Sequence, residues 1–133
     1  MEVVGTLFIE NKKLLLDKPR KRPTYQMVGG KVEKNETPLI AAIRESHEEL
    51  GSDVILDETK FQFIMEFDEI ASSDDITPIH FYLFKYNGSI IGKTKESLEI
   101  EKFCWYDSKC DIILSNTLKH KVIPYCLEKE LIN

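Results

Sequence analysis

A chain of 133 residues, 42% hydrophobic and 31% charged, can bury one core without disulfide or metal staples, and a single domain over residues 1–133 is expected. Its 18 basic and 23 acidic side chains leave a net charge of −5, which argues against non-specific binding of long nucleic acid. Cys104, Cys110 and Cys126 form an odd set with no Cys-x-x-Cys pair, and MEVVGTLFIENKKLLL has neither a basic region ahead of its apolar run nor the length of a membrane span, so a cytoplasmic protein without membrane contact is expected.

VVGTLFI (3–9) is rich in β-branched residues and reads as a strand; Asn11-Lys12-Lys13 is a turn, and LLLD (14–17) begins a second strand, which together suggest a hairpin. KPRKRP (18–23) is a basic loop with two prolines. YQMVGGKVE (25–33) reads as a short strand broken at Gly29-Gly30, a pair that marks a bulge or a close backbone approach. A helix follows, with Thr37 as N-cap, Pro38 in its first turn and Gly51 just past its end. Its stripe of Leu39, Ile43, Ser46 and Leu50 is expected to face the core. DVIL (53–56), FQFIMEF (61–67), ITPIHFYLFKY (76–86) and EIEKFCWY (99–106) read as further strands. Residues 113–131 have helical character, kinked or split by Pro124. Strands around one strong central helix, with a second helix at the C-terminus, make an α/β or α+β sandwich.

The central helix carries an electrostatic oddity. RESHEELG (44–51) puts Glu45, Glu48 and Glu49 at i, i+3 and i+4, where like charges repel by about 0.2–0.5 kcal/mol per pair. The same charges oppose the helix dipole at its C-terminus. An acidic helix face is by itself usually a solvated surface, but a divalent cation would offset both penalties. Read backwards, GKVEKNETPLIAAIRESHEELGS (30–52) resembles the Nudix box: a glycine, five residues, a glutamate, seven residues, then REUxEExGU with U bulky and apolar. Gly30, Glu36, Arg44, Glu45, Glu48, Glu49 and Gly51 fall on its fixed positions. The two U positions depart, being Ser46 and Ser52, and Val28 stands where a proline is common. Ser46, on the core stripe, needs a partner for its hydroxyl, and a backbone carbonyl one turn back would serve.

The resemblance implies an α/β/α sandwich with a mixed β-sheet. It implies hydrolysis of a nucleoside diphosphate linked to another group, with Mg²⁺ (or Mn²⁺) as cofactor. Carboxylates are hard oxygen ligands for Mg²⁺, and the metal offsets phosphate charge and activates water. By the same resemblance Glu45, Glu48 and Glu49 are metal ligands with the Gly30 carbonyl, Arg44 orients the cluster with Glu48 as its i+4 partner, and Glu36 supports the site or a second metal. A general base from outside the box is expected at Glu99, ahead of Trp105, with Glu96 and Glu101 as competitors. Arg20, within the basic loop Lys18, Arg20, Lys21, Arg22, and Lys31 are expected at the substrate phosphates, and Asn116 at the base. His47 and His80 read as non-catalytic.

The implied substrate is a small-molecule nucleotide. A nucleoside triphosphate, including an oxidised one such as 8-oxo-dGTP, is preferred because FQFIMEFDEI lacks the tyrosine of dinucleoside polyphosphate hydrolases and the proline of ADP-ribose hydrolases. Those two substrates, and a catalytically silent nucleotide sensor on the same fold, stand as alternatives. The oligomeric state is left open between monomer and homodimer.

Overall fold

The computed structural model describes residues 1–133. Its strands are β1 (Glu2–Leu7), β2 (Ile9–Glu10), β3 (Lys13–Pro19), β4 (Gln26–Lys31), β5 (Phe61–Ile70), β6 (Pro78–Tyr86) and β7 (Ile100–Tyr106). One helix, α1 (Pro38–Leu50), precedes β5; near the C-terminus a π-helical turn at Leu118–Val122 runs into α2 (Ile123–Glu128). The sheet order is β2-β3-β4-β1-β6-β5, and β7 pairs with β3. β1 and β6 run parallel and the other pairs antiparallel, so the sheet is mixed.

Strand alternation sorts the apolar residues onto two faces. Leu7, Leu14, Leu16 and Leu83 pack with Leu118, Val122 and Cys126 of the C-terminal helical segment. Leu15 and Phe84, each the neighbour of a residue in that cluster, belong to the opposite face: Leu15 packs with Leu50, and Phe84 with Ala41 and Ala42. Two helices on opposite faces of a mixed sheet give the α/β/α layering expected from the sequence. No helix is long and apolar enough to cross a membrane.

Local chemistry explains where the elements differ from expectation. The expected strand 3–9 is interrupted at Phe8, whose ring turns into the core against Tyr86 and Phe61. The hairpin closes through Asn11 and Lys12, both at positive φ (52° and 59°), as a two-residue primed turn demands. DVIL does not form a strand: Val54 is buried, and only Ile55 makes a bridge, to Ile91. The glycine pair does not break β4, which pairs with β1 through Gly5↔Gly29 and Val4↔Gly30. It marks close approach instead. A Cβ on Gly29 would lie 2.0 Å from the Val4 carbonyl oxygen, and one on Gly30 would lie 2.5 Å from the Glu45 carboxyl carbon.

The buried face of α1 also differs from expectation. Leu39 is 42% exposed, whereas Ala41, Ala42, Ser46 and Leu50 are buried. Small side chains let the helix lie close to the sheet, and this outweighs the greater hydrophobicity of Leu39. The Ser46 hydroxyl donates to the Ala42 carbonyl at 2.7 Å, so a polar group on the packed face is satisfied within its own helix. Pro124 splits the C-terminal helix as expected: the turn before it widens to a π-helix, with the Ile123 N–H donating to the Leu118 carbonyl. A wider turn relieves the clash of the proline ring with the preceding turn.

Gly29→Ala is predicted to lose about 1–3 kcal/mol of stability, because its methyl group meets rigid backbone. Urea unfolding of the variant beside the wild type measures this.

Candidate active site

The Thr37 hydroxyl caps α1 by accepting from the Ile40 N–H at 3.2 Å, and the helix ends at Gly51 (φ 94°), whose N–H donates to the His47 carbonyl at 3.3 Å. The last turn, carrying Glu48 and Glu49, is thereby set against the glycines of β4. Arg44 organises the negative charge around it. Its Nε and Nη2 donate to the two oxygens of Glu36 at 2.6 and 2.9 Å, a bidentate pair; Nη1 reaches Glu45 at 2.9 Å and Glu48 at 3.2 Å; Nη2 also donates to the Lys31 carbonyl at 3.0 Å. The i+4 partnership with Glu48 is present, but Glu36 is the closer partner. Glu36 lies before the helix begins, so helical periodicity could not reveal this pairing. The Arg44 guanidinium holds the Glu36 carboxyl down to about 2, helped by the Glu33 N–H. Arg44 is raised in turn, chiefly by Glu36.

The three helix carboxylates do not share one environment. Glu45 and Glu49 are separated by about 40° around the helix and Glu48 and Glu49 by about 100°. Glu48 is 58% exposed, the Glu45 side chain only 16%. Burial raises the Glu45 carboxyl against the pull of Arg44. Glu49 points into the interior. One of its oxygens accepts from the Gly29 N–H at 3.3 Å, while Oε2 is buried without a hydrogen-bond partner. Facing it from β3 is Asp17, with no exposed surface and both oxygens equally unpartnered. Desolvation pushes both carboxyls up, Asp17 to about 6 and Glu49 well above the usual carboxylate range, and Asp17 beside it raises Glu49 further. No three acidic, imidazole or thiol side chains are drawn together tightly enough to form a complete cation cage. The donor set nevertheless suits a hard divalent cation: buried carboxylate oxygens lacking any partner, next to a strand whose glycines leave the backbone uncovered.

A cleft of about 520 Å³ opens here. Gly30, Lys31, Glu45, Glu49 and Glu99, all singled out in the sequence, line it together. Glu48, Arg44, Arg20 and Asn116 are not on its walls. Arg20 is occupied elsewhere, its Nε donating to the Ser97 carbonyl at 2.8 Å and its N–H to the Glu99 carbonyl at 2.9 Å; Arg22 of the same loop faces the cleft. The Asn116 amide donates to the Ile70 carbonyl and to Asp75, pinning the 70–75 loop, while its neighbours Ser115 and Thr117 line the cleft. Glu101 is tied to Lys18 at 3.0 Å, and Glu96 lies off the cleft. Sequence reasoning missed Asp17, whose signal was a lone acid ending the apolar run LLLD; among the strand aromatics, Phe81 lines the cleft, its ring stacked on Phe67 with centroids 5.2 Å apart.

Comparison with known proteins shows the family. The family described as NUDIX domain matches residues 1–109. No curated protein matches the chain. Among solved structures, a MutT NUDIX hydrolase from Burkholderia pseudomallei is similar with a TM-score of 0.73 at 20% identity, over 89% of this chain and 92% of that one. A MutT protein from Methanosarcina mazei Go1 is similar with a TM-score of 0.65 at 17% identity, over 98% and 89%. A UDP-X diphosphatase is similar with a TM-score of 0.69 at 16% identity, over 98% of this chain but only 62% of that one. The chain belongs to the Nudix family and is, by class, a Nudix pyrophosphohydrolase.

The Arg44–Glu36 pair makes stability depend on acid in a definite direction. A carboxyl held near 2 in the fold but near 4.5 when free stabilises the protein above about pH 4.5, and that contribution is lost as pH falls toward 2. In Glu36→Gln the wild-type loss of thermal stability between pH 4.5 and 2 should shrink, as melting temperatures of both proteins across that range would reveal.

Proposed function

We propose that this protein hydrolyses a pyrophosphate bond in a nucleoside triphosphate, oxidised forms such as 8-oxo-dGTP included, with Mg²⁺ as cofactor and Mn²⁺ as its substitute. The observation that carries the reading is the convergence on one cleft of box residues Gly30, Glu45 and Glu49, an outside carboxylate, Glu99, and two cations, Arg22 and Lys31. Its volume of about 520 Å³ suits a nucleotide-sized ligand.

Glu45, Glu49 and the Gly30 carbonyl would hold the cation, with Glu48 at its exposed side. When bound, the cation offsets phosphate charge and lowers the pKa of a coordinated water. Arg44 keeps Glu45 and Glu48 oriented while balancing their repulsion. Lys31 and Arg22 meet the phosphates, and Arg20 braces the segment 97–99 that carries Glu99. Glu99 serves as the general base: it faces the cleft, while Glu101 is held by Lys18. Phe81 with Ser115 and Thr117 offers the base an apolar wall and hydroxyl partners. A neighbour named for UDP-X diphosphatase activity supports a nucleoside diphosphate derivative as the broader class. Three free cysteines support a reducing, cytoplasmic setting.

The test is pyrophosphate and phosphate release from a panel of nucleoside di- and triphosphates, ordinary and oxidised, with Mg²⁺ or with a chelator. Turnover only with Mg²⁺, strongest on triphosphates, is expected. Tight nucleotide binding with no turnover on any member would instead identify a sensor. Glu99→Gln should lower kcat by about 10²–10⁴-fold, while Glu101→Gln stays within a few-fold of wild type; the reverse order would move the base to Glu101.

A further inference from the structure

Asp17 sits where a carboxylate is least expected. It follows Leu14, Leu15 and Leu16 on β3 and has no exposed surface. By alternation it shares a face with Leu15, which packs with Leu50, the last residue of α1. Its carboxyl therefore meets Glu49, one residue before Leu50. Neither group forms an ion pair with any lysine, arginine or histidine. Both Asp17 oxygens and Glu49 Oε2 are buried with no hydrogen-bond partner. Two acidic groups facing each other in that state oppose folding: burying carboxyl oxygens without partners costs stability, and ionising both side by side costs more. A fourth leucine would suit β3 better for packing alone. The arrangement becomes favourable once positive charge arrives beside Glu49, which lines the cleft.

We infer that Asp17 is a positioning residue for cation binding: from behind Glu49 it adds its own charge to the set that draws a divalent cation to Glu45 and Glu49. This inference rests on the reading of Glu45 and Glu49 as cation ligands. It separates two properties that a structural residue would couple. Removing the Asp17 charge should make the metal-free protein as stable or more stable, and make it bind the cation more weakly.

The experiment uses the full chain, with Mn²⁺ as the probe. Mn²⁺ affinity is measured by titration calorimetry, and melting temperature is measured in chelator, for wild type, Asp17→Asn and Glu101→Gln. Asp17→Asn should weaken Mn²⁺ binding at least about tenfold without lowering the metal-free melting temperature. Glu101→Gln removes an equal charge away from the cleft and should leave affinity within about twofold of wild type. Asp17→Leu, matched to the preceding leucines, gives the same reading if the asparagine variant folds poorly. Unchanged Mn²⁺ affinity in both Asp17 variants, or a fall in metal-free stability with no selective loss of binding, would overturn the role of Asp17. No Mn²⁺ binding by wild type would overturn the cation reading of Glu45 and Glu49, and this inference with it.

Discussion

The last turn of α1 lies against two glycines of β4, and the charge distribution of the site follows from that seating. A side chain at Gly30 would meet the Glu45 carboxyl and one at Gly29 the backbone of β1, and Glu49 accepts from the Gly29 N–H, so the acidic turn sits directly on the β4 backbone while Ala41, Ala42, Ser46 and Leu50 form the packed face of the helix. Close approach half-buries Glu45 and Glu49, takes Glu49 Oε2 out of solvent, and leaves Glu48 exposed. Three carboxylates that look alike in sequence thus acquire different electrostatic roles from their angular positions on one helix. Only one guanidinium, Arg44, is near enough to offset them, and its strongest contact is with Glu36, outside the helix. Negative charge is therefore in excess on the cleft side, where Glu49 and Asp17 have no cationic partner.

An imbalance of this kind belongs with a ligand that carries positive charge into the cleft. Structural ion pairs are built to close; this cluster closes on the Arg44–Glu36 side and stays open on the Glu49 side. The rest of the fold is ordinary by comparison. Each sheet face has its own apolar cluster and its own helix, and the polar serine on the packed face of α1 is satisfied locally. Three of the four buried side-chain polar atoms without a partner belong to Asp17 and Glu49, the fourth being the Thr6 hydroxyl on β1, as expected where stability is balanced against chemistry.

Much of this was legible in the sequence. Thr37, Pro38 and Gly51 located the helix and its caps, and Glu45, Glu48 and Glu49 its acidic turn, because those features depend on local chemistry and period. Strand alternation located β5, β6 and β7 to within a few residues. What was not legible depends on tertiary distance. Leu39 outranks Ala41 in hydrophobicity, yet the helix–strand gap admits only the small residue. Arg20 and Arg22 are two residues apart in one basic loop, and only the loop's path decides which faces the cleft. DVIL has strand composition but forms only the single bridge at Ile55. Asp17 was readable in part: an acid two residues after Leu15 on the same strand face has to be buried, but its partner Glu49 is remote in sequence.

The central claim is that the half-buried carboxylates at the α1–β4 seam exist to hold a divalent cation. The most direct measurement is anomalous X-ray scattering from crystals of the protein grown with Mn²⁺. The account predicts an anomalous peak within coordinating distance of Glu45, Glu49 and the Gly30 carbonyl. A peak confined to surface carboxylates such as Glu66 and Asp68, or no peak at millimolar Mn²⁺, would contradict it.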